Sequence, residues 1–192
     1  MGLQSERMIQ DELGTRKRAS RFYETQVQDH LTPSMQEFIR RQQMVFIATA
    51  DASGACDCSP RFGGAGVVSV VDQGTLAYPE YRGNGVFASL GNIVENPHIG
   101  LLFIDFLDST VGLHVNGIAE RRPPVARPNG VDEMPAARGV SSARLVEQWV
   151  YIKVEEAYIQ CSKHVPRFQR VQKDIRWGTD DPTLKSSSYF HK

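Results

Sequence analysis

Two short stretches of this 192-residue chain gather groups that bind anions. One is Arg82-Gly83-Asn84-Gly85, followed closely by Ser89 and Asn92; the other is Ser59-Pro60-Arg61. A guanidinium can grip two phosphate oxygens at once, and amides and hydroxyls add neutral donors. The glycines let backbone N–H groups approach an anion closely, and a helix beginning just after them would turn its positive end to the same place. Glycine turns before helices also occur as plain turns, and strand-end arginines as plain surface residues. Two such arginines beside one helix mouth suit a ligand with a phosphate and a flat polar body.

These residues need elements to hold them. Thr32-Pro33 predicts a helix start, hydroxyl as cap and proline in the first turn, running through Met35, Phe38 and Ile39 to about Gln42. Residues 44–50, MVFIATA, read as a strand, 51–54 as a hairpin turn, and 56–62, CDCSPRF, as the returning strand, with Pro60 closing the ladder. Beyond Gly63-Gly64-Ala65-Gly66 come a strand at 67–71, a tight turn at Asp72-Gln73-Gly74 and a strand at 75–79 that carries Tyr78-Pro79. That fourth strand is expected to lie beside the one ending in Ser59-Pro60-Arg61. Residues 86–95 predict a helix with Val86, Leu90, Ile93 and Val94 on one side, stopped at Asn96-Pro97.

Two further strands, 99–106 and 111–120, turn at Asp108-Ser109. The last, 147–159, alternates from Val150 to Tyr158, and a short helix is expected over 165–172. Six or seven strands, mostly joined by hairpins and only once by a helix, predict an antiparallel barrel with peripheral helices, mainly β within the α+β class. The polar first 32 residues read as a helical arm, 33–175 as the barrel domain, 121–142 as a Pro- and Arg-rich loop insertion, and 176–192 as a tail.

Composition narrows the function. Lys plus Arg equals Asp plus Glu at 22 each, so no basic excess points to nucleic acid. No apolar run has the length of a membrane helix, and the N-terminus lacks a secretory core, which favours a cytoplasmic protein. Cys56, Cys58 and Cys161 make an odd number, and the first two are too close for a comfortable bridge. With no second pair and no matching histidines, zinc is not expected, and the thiols read as small buried hydrophobes. Trp149 and Trp177 read as core or interface packing.

The order Ser59-Pro60-Arg61, Thr75-Leu76-x-x-Pro79, Arg82-Gly83-Asn84 and Ser89-Leu90-x-Asn92-Ile93-x-Glu95-Asn96-Pro97 resembles flavin-nucleotide-binding proteins related to pyridoxamine 5′-phosphate oxidase, over about residues 35–165. The resemblance implies a split β-barrel homodimer with FMN at the subunit interface. Arg82, Asn84, Ser89 and Asn92 would hold the phosphate, and the ring would lie along the strands of Ser59-Pro60-Arg61 and Tyr78-Pro79. It implies an FMN-dependent oxidoreductase that transfers hydride to or from a small organic molecule. The alternatives are a flavin carrier without turnover, or the same fold holding haem or a deazaflavin coenzyme.

Two motifs depart from the family pattern. Leu113-His114-Val115-Asn116-Gly117 stands where many relatives carry Leu-Arg-Val-Asn-Gly, and Gln160-Cys161-Ser162-Lys163 where they carry His-Cys-x-Lys. Both bear on a substrate pocket and neither on the phosphate site. His114 is the candidate catalytic residue, as a proton relay, against a reading as a satisfied structural histidine.

Overall fold

Two aspartates shape the hairpins that begin the sheet. Asp51 Oδ1 accepts the backbone N–H groups of Ser53 (2.8 Å) and Ala55 (2.9 Å), while Gly54 takes a left-handed φ of 88°. This turns β1 (Met44–Ala50) back as β2 (Cys56–Phe62). Asp72 accepts the Gly74 N–H at 2.7 Å and turns β3 (Ser69–Asp72) into β4 (Thr75–Tyr81). In the computed structural model, which describes residues 2–129 and 146–171, these strands join β5 (His98–Ile104), β6 (Gly112–Arg122) and β7 (Val146–Gln160). The seven form one antiparallel sheet in the order β2-β1-β5-β6-β7-β4-β3. It is a split barrel with peripheral helices.

One face of the curled sheet is the core. Val45 and Ile47 of β1, Leu76 and Tyr78 of β4, Leu101 and Phe103 of β5, Val115 of β6 and Ile152 of β7 are all fully or almost fully buried. On β7 the alternation expected up to Tyr158 holds only to Val154. The register of β6 on β7 slips between Asn116 and Gly117, and the phase then reverses so that Ala157 is buried and Ile159 is exposed. Gly117 makes this bulge feasible: a Cβ there would lie 2.1 Å from the Lys153 carbonyl oxygen.

Four helices surround the sheet among the described residues: α1 (Gln4–Glu12), α2 (Arg16–Gln26), α3 (Pro33–Arg41) and α4 (Ala88–Glu95). As expected, Thr32 caps α3, accepting the Met35 N–H at 3.3 Å, and Ile39 is buried. The α4 helix links β4 to β5 and packs against β1, β2 and β6. It buries Ser89, Leu90 and Ile93, whereas Val86 and Val94 are exposed, contrary to the sequence expectation. Val86 precedes the helix, and Val94 falls beyond the narrow face centred on Leu90 and Ile93. No helix of the described residues is long and apolar enough to cross a membrane.

The helix expected over 165–172 is absent from 165–171, and residue 172 lies outside the described residues. A single 3₁₀ turn, Ser162–His164, is followed by irregular chain with Pro166, anchored where the Phe168 N–H donates to the Phe106 carbonyl (2.7 Å) and the two rings stack. The 121–142 loop is described only to residue 129, and β6 claims its first two residues; Trp177 and the 176–192 tail lie outside the described residues.

The β5–β6 turn rests on Asp105, which accepts the N–H groups of Leu107, Asp108 and Ser109 and the Ser109 hydroxyl. Burial alone would raise this carboxyl; the four donors outweigh it and hold the pKa down to about 2. A depressed acid stabilises the fold above its unfolded pKa and loses that contribution as the pH falls through the folded one. Asp105→Ala should therefore cost on the order of 1–2 kcal/mol in urea unfolding at neutral pH, a cost that fades between about pH 4 and pH 2. A cost unchanged at acid pH contradicts the assignment.

Candidate functional site

Alternation along β2 sends Asp57, Ser59 and Arg61 to one side and Cys56, Cys58 and Pro60 to the other. Arg61 donates through Nε and Nη2 to Glu80 of β4, at 3.2 and 3.0 Å. The same guanidinium reaches the Ser89 Oγ at 3.4 Å and the Pro60 carbonyl at 3.3 Å. In turn, Ser89 and Ser59 both donate to Asp57 Oδ2, each at 3.0 Å. Strands β2 and β4 are thus brought together as expected, but not as sheet neighbours: β1, β5, β6 and β7 separate them in the ladder, and side chains bridge the seam. Nor does Pro60 end its strand, because β2 is an edge strand where a missing N–H is tolerated, and pairing runs on to Phe62.

The pair is enclosed, with 21% of the Arg61 and 14% of the Glu80 side chain exposed. Burial pushes the Glu80 carboxyl up, against the opposing pull of the Arg61 charge. Beneath it, the Tyr78 phenol is fully buried with no hydrogen-bond partner among the described residues, and burial pushes its ionisation up. The Tyr78 side chain belongs to the core. Pro79 is also buried, opposite Trp149 in the β4–β7 register.

The remaining predicted residues divide. Asn92 turns inward, donating to the buried Thr49 Oγ1 at 3.0 Å. Arg82 is half-exposed at the end of β4 and pairs with Glu147 of β7 at 3.1 Å. Asn84 folds its turn by accepting the Val86 N–H at 3.0 Å. Gly85 and Phe87 both adopt left-handed φ, 80° and 52°, and α4 begins with no side-chain cap. Its first N–H groups therefore sit behind an exposed turn with Arg82 at its head.

His114 lies on β6, facing β7. Its ring stacks on Tyr158 at 4.7 Å and 12°, and Nε2 lies 2.9 Å from the Gln160 Oε1. Cys56, Cys58 and Cys161 are all free and exposed, which corrects the expectation of buried thiols: the first two lie on the outer side of an edge strand. No cluster of three metal-ligating side chains occurs among the described residues. Sequence reasoning missed Asp57, Glu80 and Glu147. Asp57 was readable from the period of two that it shares with Ser59 and Arg61; the two glutamates needed the fold.

A family described as pyridoxamine 5′-phosphate oxidase matches residues 31–161, more than half of the chain. The chain belongs to the pyridoxamine 5′-phosphate oxidase family. Among solved structures of similar fold are a putative pyridoxamine 5′-phosphate oxidase from Lactobacillus delbrueckii (22% identity, 68% of this chain and 95% of that one, TM-score 0.49), HupZ of Group A Streptococcus (23%, 72% and 98%, 0.48) and HutZ, the heme storage protein of Vibrio cholerae (13%, 67% and 94%, 0.42). No curated protein matches the sequence.

Ser89 is the knot of the cluster, since its hydroxyl joins α4 to both Asp57 and Arg61. Ser89→Ala removes the hydroxyl that joins the part-buried Asp57 and Arg61 and should cost about 1–2 kcal/mol. Hydrogen exchange of the α4 amides should quicken in that variant; unchanged stability and unchanged α4 protection would contradict the network.

Proposed function

We propose that the protein is an FMN-dependent oxidoreductase acting on a small organic molecule, and that it works as a homodimer with the flavin at the subunit interface. The observation that carries the reading is the exposed Arg82-Gly83-Asn84-Gly85 turn opening onto the uncapped N-terminus of α4, in a member of this family. The donor set fits a phosphate. Arg82 offers a half-exposed guanidinium, and the first N–H groups of α4 point to the same mouth. The resemblance adds Asn84, Ser89 and Asn92 to the phosphate and Ser59, Pro60, Arg61, Tyr78 and Pro79 to the ring.

In this reading Arg82 and α4 bind the phosphate and set its place. Arg61, clamped by Glu80, holds the β2 rim at a fixed distance from β4 and keeps its charge near the ligand. When bound, the flavin supplies a ring nitrogen that accepts or delivers hydride. The dimer reading is supported by the outer face of the sheet, where register puts Met44, Phe46, Ala48, Pro60, Leu102 and Ile104 side by side. A cytoplasmic setting is supported by three free, exposed thiols.

A specific observation favours the alternative of flavin binding without turnover. The charged rim side chains are engaged, Arg61 by Glu80, Arg82 by Glu147 and Asp57 by two hydroxyls, and His114 is stacked away. No acid or base stands ready among them. Bleaching of bound flavin by a nicotinamide cofactor and its reoxidation by an acceptor separates enzyme from carrier.

Arg82→Ala should lose most of the flavin absorbance that the purified protein carries, while its far-UV dichroism stays unchanged. Glu147→Gln, which removes the carboxylate charge 3.1 Å from Arg82, should retain flavin. Equal flavin retention in Arg82→Ala and the parent overturns the phosphate assignment, and a Soret band in place of flavin absorbance overturns the cofactor.

A further inference from the structure

A cavity of about 870 Å³ lies between the N-terminal helices and β7. Its size is that of small-molecule sites, which run to roughly 300–1,000 Å³. Three aromatic side chains wall it: Phe22 and Tyr23 of α2 and Tyr158 of β7. The Phe22 ring stands at 79° to Tyr158 (6.0 Å between centroids) and at 72° to Tyr23 (6.5 Å). Phe22 thus meets both tyrosines edge to face, and all three side chains line the cavity.

The walls are braced from behind. His114 covers one face of Tyr158. The Tyr23 hydroxyl donates to Glu6 at 2.6 Å and accepts from Gln10 Nε2 at 2.9 Å. Gln10 Oε1, next to this contact, is buried with no partner among the described residues. Two carboxylates, Glu6 and Glu156, line the same cavity, the second steadied by Asn116 Nδ2 at 2.7 Å. Against them stands one cation in the lining, the exposed Arg18.

We propose that this cavity binds a small organic cation, an alkylammonium or quaternary ammonium group, with Phe22, Tyr23 and Tyr158 as an aromatic cage and Glu6 and Glu156 as counter-charges. Cation–π attraction needs a weakly hydrated cation within about 6 Å of ring faces, and a carboxylate excess of one gives the cavity the matching sign. None of its lining residues belongs to the rim at α4, so the site stands independently of the flavin reading.

The test is calorimetric titration of the full-length protein with choline, and with 3,3-dimethylbutan-1-ol as its neutral isostere. Choline should bind at least about tenfold more tightly than the neutral probe. Tyr158→Leu and Phe22→Leu should each weaken choline binding about 5- to 30-fold, while Tyr158→Phe, which keeps the ring, should restore it. Glu156→Gln should weaken binding and Arg18→Gln should tighten it, with far-UV dichroism confirming that each variant is folded. Equal binding of the neutral probe, loss of binding in Arg18→Gln, or no choline heat at concentrations up to about 10 mM overturns the proposal.

Discussion

The Arg61–Glu80 pair joins two strands that the hydrogen-bond ladder keeps four strands apart. A sheet curled this far leaves a seam between β2 and β4, and the backbone does not close it. A charged pair across such a seam is no sure source of net stability, because desolvation offsets attraction. Removing one partner is another matter, since it strands a charge in a dry place. The rise in the Glu80 pKa with burial is the mark of that cost, and the Arg61 guanidinium opposes it. The pair also carries the rim, because Arg61 reaches Ser89, Ser89 reaches Asp57, and α4 is thereby fastened to β2.

Much of the fold was legible in the chain because its signals are local. The period-two pattern of 44–50, the aspartate-led turns and the Thr32-Pro33 cap act within a few residues, and β1, β2 and α3 appear where those signals put them. What failed depends on neighbours. The reversed phase at the end of β7 arises from a bulge opposite Gly117, which no feature of 147–159 announces. The apolar look of Val86 and Val94 said nothing of how short the buried face of α4 would be.

The site was legible in its residue types more than in their roles. Arg61 and Arg82 read alike in sequence, as strand-end cations. In the fold the first is an enclosed clamp and the second a half-exposed head of a turn, a difference set by Glu80 and by the edge position of β2. The burial of the Tyr78 side chain was not legible either, because it comes from a strand flanked on both sides, in which Leu76 and Ala77 are buried with it. The carboxylates that hold each guanidinium lie far off in the chain, 19 residues from Arg61 and 65 from Arg82, beyond any local pattern.

The most direct measurement of this account is a double-mutant cycle on the seam, with Arg61→Met, Glu80→Leu and the double variant unfolded in urea. If the pair closes the barrel, each single variant loses more stability than the double, with a coupling energy of about 2 kcal/mol or more. Single costs that add within about 0.5 kcal/mol would contradict it, and would leave the rim held by the sheet alone.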